Sequence, residues 1–367
     1  MPTAESSELK YWVGLSMVRG LGPKNFAKLY GRYGSAKKIW NLSRRDLISS
    51  GISQHIADSL EATRSKVCLE KEMERIQKLN ISVIRLVDEN YPYRLKNIPS
   101  PPFLLYVKGE LCEQDSLAVS VVGTRKCTNY GVRATKYLVS SLSEGGFTVV
   151  SGLAYGIDSV AHRTALKCSG RTIAVLGCGV DQVYPAGNRE LAHQIIGGAT
   201  GAIISEFPLG FPPTAGNFPA RNRIISGLSL AVLVTEAPKR SGALLTASCA
   251  AEQGRPVYAV PGSLFSSNSE GANRLISDGA APVVDCETLL SDLGASMKKK
   301  QIKARKELPQ GEREKTVFGV MSEDPKHVDK IVRASELPTS VVLSTLSKME
   351  LRGMVVDCGG GKWAKKV

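Results

Sequence analysis

The hydrophobic positions of this chain change period along its length. Residues 9–64 carry helical spacing, and 66–80 continue as a charged helix. From residue 81 short apolar runs take over: ISVIRL (81–86), FLLYV (103–107), AVSVV (118–122), FTVVS (147–151), TIAVLG (172–177), AIIS (202–205), LAVLV (230–234), PVYAV (256–260) and APVV (281–284). Continuous apolar runs of this length, separated by helical stretches, predict parallel strands covered on both faces. The unit 118–158 shows the pattern best: a strand ending at Gly123-Thr124-Arg125, a helix over Tyr130–Glu144 stopped by Gly145-Gly146, then a second strand running into SGLAYGID (151–158). Strand and helix alternate without a break from 118 to 293, which predicts a doubly wound α/β domain of six or seven strands.

The flanks differ. Residues 18–35, VRGLGPKNFAKLYGRYGS, have the shape of a helix-hairpin-helix turn, and 51–62 fit a degenerate second copy; a plain helical bundle fits equally. Residues 89–111, with Pro92, Pro99, Pro101 and Pro102, form an extended connection whose aromatics are assigned to core packing. Residues 310–367 predict three short helices and a β-hairpin, the pattern of a winged helix. Its second helix falls at 326–334, its recognition helix at about 338–350 and its wing turn at Gly359-Gly360-Gly361. A helical protein–protein module is the alternative. The expected organisation is a helical (SAM or helix-hairpin-helix-like) domain over 1–80, an α/β domain over 81–294, a basic linker over 295–309 and a winged helix over 310–367.

Charge sharpens the picture. The formal net charge is +14, with 17 basic and 10 acidic residues in 1–100, 15 and 15 in 101–294, and 16 and 9 in 295–367. A basic chain suits a polyanionic partner, and the balanced middle confines any anion site there to a local patch. The 8 cysteines occur singly and the 4 histidines are scattered, so neither a structural metal nor a disulfide framework is expected. No apolar run is long enough for a membrane span and no signal-peptide core is present, so a cytoplasmic protein without a membrane partner is expected.

Ligands of doubly wound sheets bind at the carboxyl ends of the strands. Arg125, Arg221, Arg223, Lys239 and Arg240 all fall in loops at that end. Amide-rich turns accompany them at Ser151-Gly152 and Gly156, at Gly177 and Gly179, at Ser241-Gly242 and around Asn273; Gly123, Thr124 and Asn222 complete the candidate set. Guanidinium forks and open amides suit phosphate oxygens, and several such subsites suit a polynucleotide backbone better than a mononucleotide. The competing reading pairs these arginines with Glu206 or Glu236. Catalytic signatures are mostly missing: there is no P-loop, no nucleophile elbow, and GCGVDQ (177–182) lacks the third glycine of a dinucleotide fingerprint. His162 and His193 fall inside helical patterns, and Asp158, Asp181, Glu206 and Glu236 read as caps or partners of nearby cations. No cofactor is expected.

Taken together, G-T-R-x-x-x-x-Y-G (123–131), SGLAYGID (151–158), G-C-G-V-D-x-V-Y-P (177–185), S-E-F-P-x-G-x-x-P (205–213), FPARNRIISGLS (218–229), SGALLTA (241–247), GRPVYAVPG (254–262) and G-A-N-R-L-I-x-x-G-A (271–280) resemble the DNA-processing protein A family, also called Smf. The resemblance implies an extended Rossmann-like domain, a homodimer formed through it, and a non-enzymatic protein that binds single-stranded DNA. It further implies protection of incoming DNA and delivery of the RecA recombinase in natural transformation. The arginine of G-x-R falls on Arg125, and those of the F-P-x-R-N-R loop on Arg221 and Arg223. Ala186 stands where some relatives carry a lysine. A nucleotide-cleaving, phosphoribohydrolase-like enzyme on the same fold is the rival, weakened because residues 240–246 lack that family's double glycine.

Overall fold

The computed structural model describes residues 4–197, 201–294, 312–322, 324–351 and 354–365. The chain falls into two compact units, one ending at Ala295 and the other beginning at Ser296. The expected basic linker at 295–309 lies outside the described residues.

A nine-stranded sheet carries the larger unit. Its strands are β1 (Ile81–Arg85), β2 (Leu104–Gly109), β3 (Ala118–Val122), β4 (Thr148–Ser151), β5 (Thr172–Val175), β6 (Gly201–Ser205), β7 (Ala231–Val234), β8 (Val257–Ala259) and β9 (Ala281–Pro282), in the order β1-β2-β6-β5-β4-β3-β7-β8-β9. Strands β3 to β9 are parallel throughout, as the apolar runs predict. Strands β1 and β2 add an antiparallel edge, with Ile84 opposite Leu105 and Tyr106 opposite Ser205.

The chain builds outward from β3 to β6 and then returns to place β7 on the other side of β3. That reversal sends crossover helices to opposite faces. Leu138, Val139 and Leu142 of helix Asn129–Glu144 and Ile157, Ala161 and Ala165 of helix Ile157–Lys167 cover Val119, Val121 and Leu233. Ile224, Ile225 and Leu228 of helix Asn217–Leu228, with Ala243 and Ala247 of the next helix, cover Val122, Val150 and Val234. Alternate residues of one strand thus serve two cores, each buried aliphatic side chain contributing roughly 1.5–3 kcal/mol.

Six helices over residues 4–78 pack on the β1–β2 end of the sheet and share its core. Phe26 stacks on Phe103 with centroids 4.0 Å apart, and Trp12 lies 4.8 Å from Phe26. The proline-rich connection therefore does place aromatics in the core, Tyr91 and Tyr106 included, whereas Tyr93 is exposed. Each glycine turn of the expected helix-hairpin-helix pair packs on the helix that follows the other: Lys28 Nζ donates to the Gly51 carbonyl at 3.1 Å, and Gly20 lies against Ile56. No helix among the described residues is long and apolar enough to cross a membrane.

The second unit is a winged helix. Helices Glu312–Val320, Val328–Ser335 and Thr339–Leu351 enclose Val317, Ile331, Val342 and Leu346, and the hairpin Val355–Asp357 with Lys362–Lys365 turns at three left-handed glycines, 359–361. The second helix starts later than expected, because Lys326–His327 pair with the hairpin and His327 caps the helix.

Candidate nucleic-acid interface

The loops leaving β3 and β7 diverge where the strand order reverses, and a cavity of about 750 Å³ opens above them. This is the position at which open α/β sheets take their ligands. Thr124 N–H donates to the Glu236 carbonyl at 2.7 Å and ties the two loops together, and Ile157 N–H, at the start of the helix after β4, donates to the Thr124 carbonyl at 3.1 Å. The Thr124 side chain is buried, and its hydroxyl oxygen accepts from Lys126 N–H at 3.2 Å. Arg125 and Lys126 are thereby held outward, both exposed.

Glu236 pairs with none of the candidate arginines. Its buried carboxylate accepts from Thr128 N–H at 2.8 Å and Thr128 Oγ1–H at 2.6 Å, fixing the residue that caps helix Asn129–Glu144. The acid thus sets where the loop 123–128 ends by holding the capping residue, where the sequence suggested that it would cap a helix or partner a cation itself.

Arg221 departs from expectation: it and Arg223 stand on helix Asn217–Leu228 and not in a loop. It lines the cavity but is buried at 5% exposure, and its guanidinium donates to the carbonyls of Val175 and, at 2.8 Å, Gly152. A Cβ on residue 152 would come within 2.6 Å of that guanidinium, so the glycine leaves room for Arg221 and not for a ligand. Burial lowers the Arg221 pKa to about 10, which leaves it a cation at neutral pH. Asp158 is buried nearby and accepts from Gly152 N–H at 3.1 Å and Ala154 N–H at 3.3 Å. Burial pushes its carboxyl upward, opposed by Arg221 and those amides. The amides of 152 and 154 therefore serve an internal carboxylate. Gly156, at φ +76°, lets the backbone pass against Thr124 and Arg125.

The candidate residues separate into two groups. Gly123, Thr124, Arg125, Arg221, Asn222, Arg240, Ser241 and Gly242 line the cavity. Ser241 caps the helix Gly242–Glu252, whose N-terminus forms part of the wall. The remainder are placed elsewhere. Arg223 is paired with Glu206, the two side chains only 18% and 13% exposed. Asn273 exchanges both amide bonds with Gly262 at 3.0 Å. The Ser151 hydroxyl donates to the Val121 carbonyl at 2.7 Å, Gly177 and Gly179 are buried, and Lys239 is exposed outside the lining.

The structure also brings in residues that were not singled out. Phe218 lines the cavity with the Arg125 and Arg221 guanidinium carbons 5.6 and 5.9 Å from its ring centroid, and Tyr184 lies 5.5 Å away. Phe218 stands three residues before Arg221 on one helix, a spacing that shares a face, so this neighbour was within reach of the sequence. Asn268, whose side chain donates to the Lys126 carbonyl at 3.0 Å, comes from a loop 142 residues distant and gave no signal.

The architecture is that of a Rossmann-like protein with an arginine-lined, aromatic-floored cleft at the topological switch point. The chain belongs to the DNA recombination-mediator protein A family, whose model matches residues 82–294, and a DprA winged helix domain matches residues 301–361. It is 35% identical over 399 residues to Protein Smf of Synechocystis, covering 98% of this chain and 100% of the relative. It is 40% identical over 224 residues to DNA processing protein DprA of Streptococcus pneumoniae, covering 61% of this chain and 77% of the relative. The solved structure of the Streptococcus protein superposes with a TM-score of 0.67 at 33% identity, over 77% of this chain and 97% of that one. A Helicobacter pylori relative, solved to describe its single-stranded DNA binding mode, gives 0.53 at 32% identity, over 59% of this chain and 96% of that one.

Proposed function

We propose that this chain binds single-stranded DNA in the switch-point cleft and delivers it to the RecA recombinase during DNA processing and natural transformation. The observation that carries the proposal is the exposed Arg125 beside the face of Phe218 at the mouth of a 750 Å³ cavity. A guanidinium binds a phosphate through paired hydrogen bonds, and an adjacent ring offers a base a stacking surface. Lys126, Arg240 and the N-terminus of helix Gly242–Glu252 extend the positive wall. Arg221, from its buried position, adds a fixed positive field. The Helicobacter relative's single-stranded DNA and the family's description as recombination mediators support this reading.

We read the protein as a binder and not an enzyme, because the carboxylate lining the cavity, Asp158, already accepts two loop amides. We also propose a homodimer through the α/β unit. Tyr130, Tyr137, Val260, Val283 and Val284, flanked by Arg133 and Asp285, line a largely apolar groove of about 300 Å³ beside β9, and Tyr137 and Val284 are 61% and 80% exposed. Such a patch on a sheet edge suits a second copy.

Gel shifts of the full chain on poly-dT, repeated with Arg125→Glu, test the DNA reading. Binding lost in the variant with an unchanged melting temperature supports it; equal affinity removes the cleft from the mechanism. Delivery to RecA is tested by following RecA filament growth on poly-dT with and without the protein.

A further inference from the structure

We propose that Tyr155 and Tyr184 form a base-stacking exit platform that carries the nucleotides following those held at Arg125. This rests on the single-strand reading of the cleft. A second, shallow cleft of about 40 Å³ adjoins the main cavity, and Arg125, Phe218, Arg221 and Tyr184 line both. Tyr155 and Pro185 line only the second. The opening is far too small to enclose a base, so its rings act as a surface and not a pocket.

The two tyrosines come from different loops and line the same small cleft, Tyr155 lying against the turn that follows Pro185. Tyr155 packs on Gly187, where a Cβ would come 2.8 Å from the phenol oxygen. Tyr184 is inclined at 34° to Phe218 with centroids 5.5 Å apart. Tyr155, Tyr184 and Phe218 therefore line one small cleft, with the Arg125 guanidinium over the Phe218 ring. Tyr155 and Tyr184 are 51% and 43% exposed, whereas Tyr91 and Tyr106 are buried, so these two rings contribute little to the core. An exposed aromatic strip continuous with a cationic cleft matches the two surfaces of a single strand. Phosphate lies on guanidinium and bases lie on rings, without preference among bases because each has a π face. A duplex, whose bases are already stacked, has nothing to offer such a strip.

The test uses the full chain with dT4, which fits the cavity alone, and dT20, which reaches the platform. Tyr155→Ala is expected to weaken dT20 binding roughly tenfold and leave dT4 binding unchanged. An oligomer of 20 abasic sugar-phosphates should bind wild type and variant equally. Tyr155→Trp supplies a direct signal: Trp12, Trp40 and Trp363 are buried, so quenching of an exposed indole by dT20, and not by dT4, reports stacking. Unchanged dT20 affinity in Tyr155→Ala together with an unquenched Tyr155→Trp overturns the platform. If Arg125→Glu still abolishes binding in that case, the cleft itself stands. If wild type fails to bind dT20, both proposals fall.

Discussion

Arg221 donates to the Gly152 carbonyl at 2.8 Å, across 69 residues of chain, and so joins the helix after β6 to the loop after β4. Two arginines approach one ring, Phe218, yet they differ in kind. Arg125 faces solvent and is free to meet a phosphate, while Arg221 is built into the protein.

That difference predicts opposite behaviour of two charge reversals. Arg125→Glu should abolish poly-dT binding and leave the melting temperature within about a degree, as surface substitutions do. Arg221→Glu should unfold the cleft: it strands two buried carbonyls and places a carboxylate beside Asp158, a loss of about 3 kcal/mol or more. Thermal melting separates the two, and a stable, correctly folded Arg221→Glu protein contradicts the structural role.

Phe218→Ala should weaken poly-dT binding roughly 10- to 100-fold, the range for loss of one stacked base, and Phe218→Tyr should restore most of it. Fluorescence anisotropy with a labelled dT20 measures both. Equal affinity in Phe218→Ala would mean that bases do not reach the floor of the cleft.

Salt dependence counts the phosphates. Three exposed cations at the rim, Arg125, Lys126 and Arg240, predict a slope of log affinity against log salt near −2, about −0.7 for each phosphate on a single strand. Lys126→Gln should make that slope shallower by about 0.7. A slope unaffected by this substitution removes Lys126 from the phosphate track.

Stability should fall in mild acid through His162. This side chain is wholly buried, its Nδ1 lies 2.7 Å from Thr172 Oγ1, and burial lowers its pKa to about 3. The unfolded chain therefore binds a proton that the folded one refuses between about pH 6.5 and 3. The contribution is fully present above pH 6.5 and is lost as pH falls, by up to about 1.4 kcal/mol per unit. Urea unfolding from pH 7 to pH 4.5 should show it, and His162→Gln should flatten that dependence.

The proposed dimer groove gives a simpler test. Val284→Asp places a charge on the apolar edge beside Tyr137, and light scattering should move from dimer to monomer with the melting temperature little changed, since Val284 is 80% exposed. An unchanged mass rejects this surface.

The parallel sheet was legible because burial on both faces makes each strand a nearly continuous apolar run, as 118–122, 202–205 and 230–234 are apart from Ser120 and Ser205, whose hydroxyls bond to the Ile225 and Cys178 carbonyls. The winged helix was legible for the same reason, its helical spacing and glycine turn being local. Eight ordered motifs likewise placed Arg125, Ser241 and Gly242 at one end of the sheet. Arg223 shows the limit: its motif is intact, yet Glu206 claims it, because a helix fixes the direction of a side chain and the fold decides what waits there.

Sequence by itself therefore determined the elements, the family and the end of the sheet at which the candidate arginines gather, since these depend on short-range periodicity and on residue types. Only tertiary structure decided which cations face solvent, which amides are already taken by Asp158, and that Tyr184 and Asn268 join Phe218 in one cleft. Those outcomes depend on burial and on contacts across many tens of residues, where desolvation and not residue type sets whether a charge serves the protein or its ligand.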